Sequence, residues 1–181
     1  MGFKHSIERI GAPTASGLVP RRNVGDVTRQ GVELDVRWRA SSRVDLGANL
    51  WASHNRIAEF VDSTVSPVVV RHDVPPLLTP GLVTAQRAEF RATSQLTIGI
   101  EGHYQGRAYL DNTKDVARTL PASYVVDASA RLTRNRYALV VRGANLGNSQ
   151  RYGSGSVSTD GEVRYFVLAS RSVFTTFELS W

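Results

Sequence analysis

The stretch Val32-Glu33-Leu34-Asp35-Val36-Arg37-Trp38-Arg39 alternates apolar and charged side chains without a break. In an extended chain, successive side chains point to opposite faces, whereas the period of a helix would mix the two classes. This stretch therefore predicts a β-strand with one apolar face and one charged face. The last ten residues repeat the pattern, and their apolar face carries Val173, Thr175, Phe177, Leu179 and Trp181.

Further segments with the same alternation can be placed along the chain, and in total eight strands are expected. They cover residues 2–10, 27–40, 44–60, 81–92, 96–104, 124–132, 137–146 and the final ten residues. Short turns follow the second, fourth and sixth strands, at Ser41–Arg43, Thr93–Gln95 and Thr133–Arg136. Long loops rich in Gly, Pro and Ser occupy the other connections, near residues 11–26, 61–79, 111–121 and 147–170.

Long loops at one end of strands of about ten residues, with short turns at the other end, are typical of transmembrane barrels. Aromatic residues near strand ends would form interfacial girdles, and they are Trp38, Tyr104, Tyr124, Tyr137 and Trp181. Because alternation alone is also found in a soluble β-sandwich, that fold remains an alternative. The expected class is all-β, an antiparallel transmembrane barrel wall of about eight strands.

Composition narrows the function classes. The formal net charge is +6, but only Lys4 and Lys114 among the 22 basic residues are lysines, and the arginines are spread through strand patterns among acidic or small neighbours. A nucleic-acid binder would gather basic and aromatic residues in one patch, so no nucleic-acid partner is expected. There is no cysteine and no apolar window of the length that a membrane helix needs. An export signal is not visible at the start, so an outer-membrane protein would have to be longer than these residues.

No catalytic or metal-binding constellation is predicted. His5, His54, His72 and His103 follow no metal-ligand spacing. Glu101 and His103 share one face of a strand and could form an acid–base pair, although lining of a polar surface is the favoured interpretation. No cofactor is expected, and an enzyme is the least favoured class because no Ser-His-Asp arrangement is suggested.

Several local motifs resemble the C-terminal barrel wall of TonB-dependent outer-membrane receptors. They are Gly106–Thr113 followed by Leu120–Asp127, and the closing Phe177–Trp181. The pair Arg21–Val24 and Arg29–Asp35 is similar to a loop followed by a "G-[VI]-E" strand in that family. Asn145–Tyr152 is similar to its "NLFDxxY" signature. Gly147 and Asn148 replace the Phe and Asp of that signature. The motifs occur in the order of the family and span nearly the whole chain.

The resemblance implies that residues 1–181 form a single C-terminal segment of a barrel of about 22 strands, without the plug domain and its energy-coupling box. It implies a location in the outer membrane of a Gram-negative bacterium and TonB-dependent uptake of a scarce nutrient such as an iron–siderophore complex. The implied partners are outer-membrane lipid, the remaining strands and plug of the same receptor, the TonB system through that plug, and the outer-membrane insertion machinery. Alone, the segment is not expected to transport.

The resemblance also implies that the terminal strand is the assembly signal for that machinery, carried by Val173, Phe177, Leu179 and Trp181. Two other classes remain open beside the receptor. One is a small standalone outer-membrane barrel with a structural or adhesive role, and the other is a soluble β-sandwich binding module. The nutrient and the residues that contact it are not predicted.

Overall fold

A computed structural model of the chain describes the backbone of residues 2–3, 7–9 and 21–23, and backbone and side chains of residues 26–62, 65–158 and 160–180. All regular structure in these ranges is β. No helix among the described residues is long and apolar enough to cross a membrane. The predicted all-β antiparallel class is therefore confirmed.

One antiparallel sheet contains nine of the strands, and seven of them match the segments expected from alternation. Its strands are β1 (Gly2–Phe3), β4 (Val27–Arg39), β5 (Val44–Asp62), β6 (Val69–Val74), β7 (Leu82–Arg91), β8 (Leu96–Gln105), β11 (Ser123–Arg134), β12 (Tyr137–Ala144) and β15 (Ser172–Leu179). Their order is β1-β4-β5-β7-β8-β11-β12-β15, with β6 paired to β5 off this path. Neighbours in space are neighbours in the chain, as in a meander that forms the wall of a barrel.

The register separates the side chains onto two faces. Leu34 pairs with Leu50, and the charged residue beside it, Asp35, pairs with Asn49. The same separation continues through β7, β8, β11, β12 and β15, so that Phe90, Ile98 and Ala130 lie in one apolar row. A shift of one residue anywhere would move charge into that row, which is why the pattern specifies the register.

Two of the three short turns close in ways that their residues explain. Ser41 Oγ accepts hydrogen bonds from the backbone N–H groups of Arg43 and Val44, both at 3.1 Å. Thr93 Oγ1 accepts from the N–H groups of Gln95 and Leu96 in the same manner. Such side-chain turns favour hairpins over continued strands.

The remaining six strands lie on the loop side of the sheet. Four of them fall in segments for which loops were expected, one falls within residues 2–10, where a strand was expected, and one falls within residues 105–110, for which neither was predicted. They are β2 (Ile7–Arg9) with β3 (Arg21–Asn23), β9 (Ala108–Tyr109) with β10 (Thr119–Leu120), and β13 (Tyr152–Val157) with β14 (Val163–Val167). The strand β6 also corrects the prediction of a continuous loop over residues 61–79. It forms because β5 extends beyond the end of β7 and offers its free edge to Val69–Val74.

Two small apolar cores stabilise this loop side. Val27, Ile57, Phe60 and Val74 form the first core, where β6 packs beside β5. The second core contains Ala108, Leu110, Leu120 and Val157, against which Leu78, Tyr152, Val163 and Tyr165 pack. We call the connections that meet around these two cores the loop cluster, residues 62–81, 106–122 and 145–171. The sheet between the short turns and the loop cluster has no comparable core on either face among the residues described.

Candidate functional site

The first candidate surface is the charged face of the sheet, which we call the polar face. Its members are Glu33, Asp35, Arg37, Arg39, Asp45, Asn49, Arg87, Glu89, Arg91, Glu101, His103, Asp127, Arg131, Arg142 and Glu178, placed there by the strand register. Acid and base alternate across strands rather than along one patch. A wall of this kind suits a water-filled interior more than a single highly charged binding groove.

Ion pairs connect neighbouring and next-nearest strands on the polar face. Arg39 Nε lies 3.0 Å from Asp45 Oδ1, and Arg91 binds the other oxygen of the same carboxylate. Farther along the sheet, Arg142 Nη2 lies 2.9 Å from Asp127 Oδ2. These contacts neutralise most charges within the wall, so the polar face is a structural lining whose ligand contacts would come from its unpaired members.

The possible acid–base pair does not have the geometry of a hydrogen bond. His103 Nε2 lies 3.7 Å from Glu101 Oε2, and both side chains are exposed. A proton could pass between them only after a movement or through water. Among the described residues, no three His, Asp or Glu side chains gather as metal ligands. His5 lies outside the described residues.

The second candidate surface is the opposite, apolar face, which we call the apolar belt. Val32 is 66% exposed and Trp38 is 62% exposed, although both belong to a well-formed strand. Leu34, Val36, Ile98, Ile100, Leu132, Leu139, Val173 and Phe177 are exposed on the same face. No second sheet covers the belt among the described residues, as the core of a β-sandwich would require. The described residues therefore lack the second layer of a β-sandwich, and the apolar belt is left uncovered.

Within the apolar belt, an aromatic ring lies over a glycine on the next strand. A Cβ atom built on Gly102 would lie 2.2 Å from the Tyr124 hydroxyl oxygen, so only glycine leaves room for the ring. The hydroxyl group also lies 3.4 Å from Gln86 Oε1 on the third strand. The phenol therefore packs across β8 and gives the polar Gln86 side chain a partner inside an otherwise apolar region.

Buried polar residues hold the loop cluster together, and they belong to one of the quoted motifs. Asp111 accepts hydrogen bonds from Thr113 N at 3.0 Å and from Arg118 Nη1 at 3.0 Å. Asn112 Oδ1 accepts from the N–H group of Leu77 at 2.8 Å. A second link joins Arg71 Nε to the buried Asp62 carboxylate at 3.0 Å. Because buried polar groups are costly to leave unpaired, these contacts fix how the long connections meet.

The second motif, which begins at Asn145, forms a compact turn at the end of β12. Asn145 has a φ of 50°, and its side chain is buried. Its Nδ2 donates to Ser149 O and its Oδ1 accepts from Ser149 N, each at 2.9 Å. Its backbone N–H group donates to Asp127 Oδ1 at 2.9 Å, which ties the turn to β11. The strand therefore ends at Ala144, two residues earlier than expected.

The third candidate surface is the terminal strand with its expected assembly signal. The register of β15 places Val173, Phe177 and Leu179 on the apolar belt, opposite Gly143, Leu139 and Tyr137. Phe177 stacks on Tyr137 with ring centroids 5.8 Å apart. Trp181, the fourth residue of the predicted signal, lies outside the described residues. Three of the four members therefore share one face, and their role as a signal remains a prediction.

The sequence did not predict a cavity of about 380 Å³ on the loop side, which we call the basic cavity. Its lining includes His54, Arg56, Asp73, Arg107, Tyr109 and Lys114, from three separate stretches of the chain. No periodic pattern connects these stretches, since the cavity forms where β5 passes from one partner strand to the next. Only the structure brings these basic groups together.

Comparisons with known proteins agree with the fold. Neither any family model nor any curated protein matches the chain. Among solved structures, the siderophore receptor PiuA from Acinetobacter baumannii matches with a TM-score of 0.77 at 15% identity, covering 98% of this chain and 24% of that one. The closed form of the ferric-catecholate import receptor Fiu from Escherichia coli K12 matches with a TM-score of 0.71 at 16% identity, covering 98% and 24%. The ferric yersiniabactin uptake receptor FyuA from Yersinia pestis matches with a TM-score of 0.71 at 16% identity, covering 88% of this chain and 24% of that one.

The chain thus spans about a quarter of the length of these structures, and its fold is that of a section of their barrels. The expected all-β fold of a barrel wall is therefore confirmed.

Proposed function

We propose that residues 1–181 form one segment of the barrel wall of a TonB-dependent outer-membrane receptor that takes up an iron–siderophore complex. In this proposal the chain supplies the C-terminal strands of a barrel of about 22 strands. The proteins that share the fold are named as siderophore and ferric-siderophore receptors, not as enzymes, and they support a role in import. The segment by itself would not transport, because a pathway requires the remaining wall and a plug.

The single observation that carries the proposal is the uncovered apolar belt. Exposed Val, Leu, Ile, Phe and Trp side chains extend from β4 to β15 without interruption by charge. In water, a contiguous apolar surface of this extent would drive aggregation, whereas in a bilayer it is the ordinary outer surface of a barrel. Outer-membrane lipid is therefore the first partner that we propose.

Further partners follow from the sheet edges. The outer edge of β15 has no neighbouring strand among the described residues, and β4 has one only at Val27 and Thr28, where β1 pairs with it. Unpaired backbone groups cannot remain open within a bilayer, so other strands of the same receptor would pair with both edges. The insertion machinery of the outer membrane would act before closure, and TonB would act through the plug.

We further propose that the terminal strand is the assembly signal. Val173, Phe177 and Leu179 present a continuous apolar face, and the sequence extends this face to Trp181. The insertion machinery would recognise the strand through its free edge and this face. The variants that test this role are described in the Discussion.

The nutrient would approach from the loop cluster and pass along the polar face. The loop cluster is held by buried hydrogen bonds, so it presents a fixed surface rather than independent loops. We propose a ferric siderophore because the fold is shared with receptors for such complexes. The class of siderophore depends on the rest of the receptor.

The test uses the reading frame that contains these codons, expressed in a Gram-negative strain that lacks its own siderophore receptors. Cells are given radioactive iron as ferric catecholate, ferric hydroxamate or ferric citrate, with cobalamin as a further probe, and the outer membrane is fractionated. Energy-dependent accumulation of iron, lost on deletion of residues 82–105 (β7 and β8), supports the proposal.

The alternative outcomes separate the remaining classes. Recovery of the chain from the outer membrane without uptake of any probe would contradict the import function and favour a standalone barrel with a structural or adhesive role. Recovery from the soluble fraction without detergent would contradict both membrane functions.

A further inference from the structure

The basic cavity carries more positive charge than its surroundings neutralise. Arg56 Nη1 lies 3.0 Å from Asp73 Oδ1, so this pair is internally compensated. Arg107 and Lys114 have no carboxylate within ion-pair distance among the residues described, and His54 also lines the cavity. The cavity thus contains two cationic side chains, Arg107 and Lys114, that no described carboxylate neutralises.

Local contacts also restrain the two cationic side chains that line the cavity. Arg107 lies with its guanidinium carbon 5.9 Å from the centroid of the Tyr109 ring, which restricts the direction of the side chain. Lys114 has a φ of 63°, a backbone conformation that few non-glycine residues adopt, and it follows Thr113, whose N–H is bonded to Asp111. The ring contact therefore restrains the Arg107 side chain, and the hydrogen-bonded turn before Lys114 sets where its side chain begins.

The register places part of this cavity directly beyond the apolar belt. Ala52 ends the belt on β5, and His54 and Arg56 are the next residues on the same face. Since residues on one face of a strand are about 7 Å apart, His54 and Arg56 lie about 7 and 13 Å beyond Ala52 along the strand. The headgroup region on each side of a bilayer is about 5–8 Å thick, so strands tilted in the membrane carry these residues to headgroup level.

Phosphate is the anion that this combination fits. Arginine and lysine are the residues that bind phosphate oxygens most strongly, arginine through a planar fork and lysine as a compact charge. The volume of about 380 Å³ accommodates a phosphorylated headgroup, whereas an acyl chain would place apolar surface against the two free cations.

We propose that the basic cavity binds the phosphate group of an anionic lipid headgroup at the loop-side boundary of the membrane. The inference rests on the membrane location in the proposed function but not on nutrient import. A lipid held there would anchor β5 and the loop cluster at a fixed depth. His54 and Arg56 would hold the lipid on the belt side of β5, at the end of the strand where the cavity opens.

The experiment uses the whole chain in dodecyl maltoside micelles and counts retained lipid by native mass spectrometry. The probes are phosphatidylglycerol and diacylglycerol with the same acyl chains, so that only the phosphoglycerol headgroup differs. The test variant is Arg107→Gln with Lys114→Gln, and the matched control is Arg43→Gln with Arg136→Gln at the opposite end of the strands. Circular dichroism checks that each variant retains its β structure.

We expect retention of phosphatidylglycerol but not of diacylglycerol, and a fall in apparent affinity of about tenfold or more in the test variant only, because charge-assisted hydrogen bonds are lost. Equal retention by the test variant, or equal retention of diacylglycerol, would overturn the proposal. Displacement of the lipid by inorganic phosphate would overturn the lipid source in favour of a soluble phosphate compound. A chain that stays in solution without detergent would instead contradict the membrane location, which is measured separately.

Discussion

Arg131 on β11 and Glu178 on β15 form a two-point ion pair across the strand that lies between them. Arg131 Nη1 and Nη2 lie 3.0 and 2.6 Å from the two carboxylate oxygens of Glu178. The intervening strand β12 contributes the small side chains of Ala138 and Val140 to this part of the polar face. The pair therefore links the terminal strand directly to its second neighbour.

Replacement of Glu178 by Gln should weaken the attachment of β15, because both charge-assisted contacts with Arg131 are reduced. Exposed ion pairs contribute little, so we expect only a small decrease in the urea concentration at the midpoint of unfolding. The measurement is urea unfolding in lipid vesicles, with amide exchange of residues 172–179 as a local probe. Glu33→Gln on the polar face of β4 is the control, and equal effects of the two variants would contradict this role.

Replacement of Gly102 by Ala should displace the Tyr124 ring, since the added Cβ would lie 2.2 Å from its hydroxyl oxygen. We expect a loss of about 1–3 kcal/mol, as for other overpacked sites. Gly47→Ala is the matched control, because the nearest atom to its added Cβ lies at 3.8 Å. If the two residues act together, the loss from Gly102→Ala will shrink in a Tyr124→Ala background, and strict additivity would show that they do not.

Asn145→Ala should loosen the turn that ends β12. The substitution removes two side-chain hydrogen bonds with Ser149 and places alanine at a φ of 50°. Each effect is worth about 1–3 kcal/mol, so the variant should unfold at a clearly lower urea concentration. Asn145→Gly relieves the backbone strain alone and should recover part of the loss. A glycine variant no more stable than the alanine variant would show that strain is not important here.

Leu34 and Glu33 are adjacent residues on opposite faces of β4, so they provide a direct test of which face meets lipid. Leu34→Arg should reduce the yield of membrane insertion, with a cost of about 2–4 kcal/mol if the site lies near the bilayer midplane. Glu33→Arg should insert almost normally, because its side chain remains on the polar face. Similar yields for the two variants would contradict the orientation of the sheet.

The assembly signal predicts a similar contrast on the terminal strand. Trp181→Asp and Phe177→Asp should both lower the amount of protein in the outer membrane, because each places a charge on the apolar face that the insertion machinery would read. Thr176→Asp lies on the polar face of β15 and is the control. An unchanged yield of the Trp181 and Phe177 variants in fractionated outer membranes would refute the signal.

Sequence alternation was sufficient to predict the strands of the main sheet, because apolar side chains lie on one face of each strand and polar side chains on the other. The stretch around Leu34 and Val36 therefore predicted its strand and the residues that share each face of it. Turn residues such as Ser41 and Thr93 marked the short connections, since their hydroxyl groups bond the local backbone. These features are local, and a single sequence contains them in full.

The loop side could not be predicted in the same way, because its structure depends on contacts between distant segments. Val69–Val74 lies among prolines and serines and becomes a strand only because β5 offers it a free edge. Lys114 lines the same cavity as His54 and Arg56, although some 60 residues separate them in the sequence. The neighbours of an isolated histidine or lysine become visible only when the chain has folded around it.

The change of partner along β5 has a consequence for how such proteins diversify. Up to Ala52 this strand pairs with β7, and from Ile57 it pairs with β6. Insertions and deletions in the segment between β5 and β7 would therefore fall on the far side of this junction and leave the pairing of β5 with β7 intact. The loop cluster can change in length and shape while the part of the sheet that carries the apolar belt keeps its register.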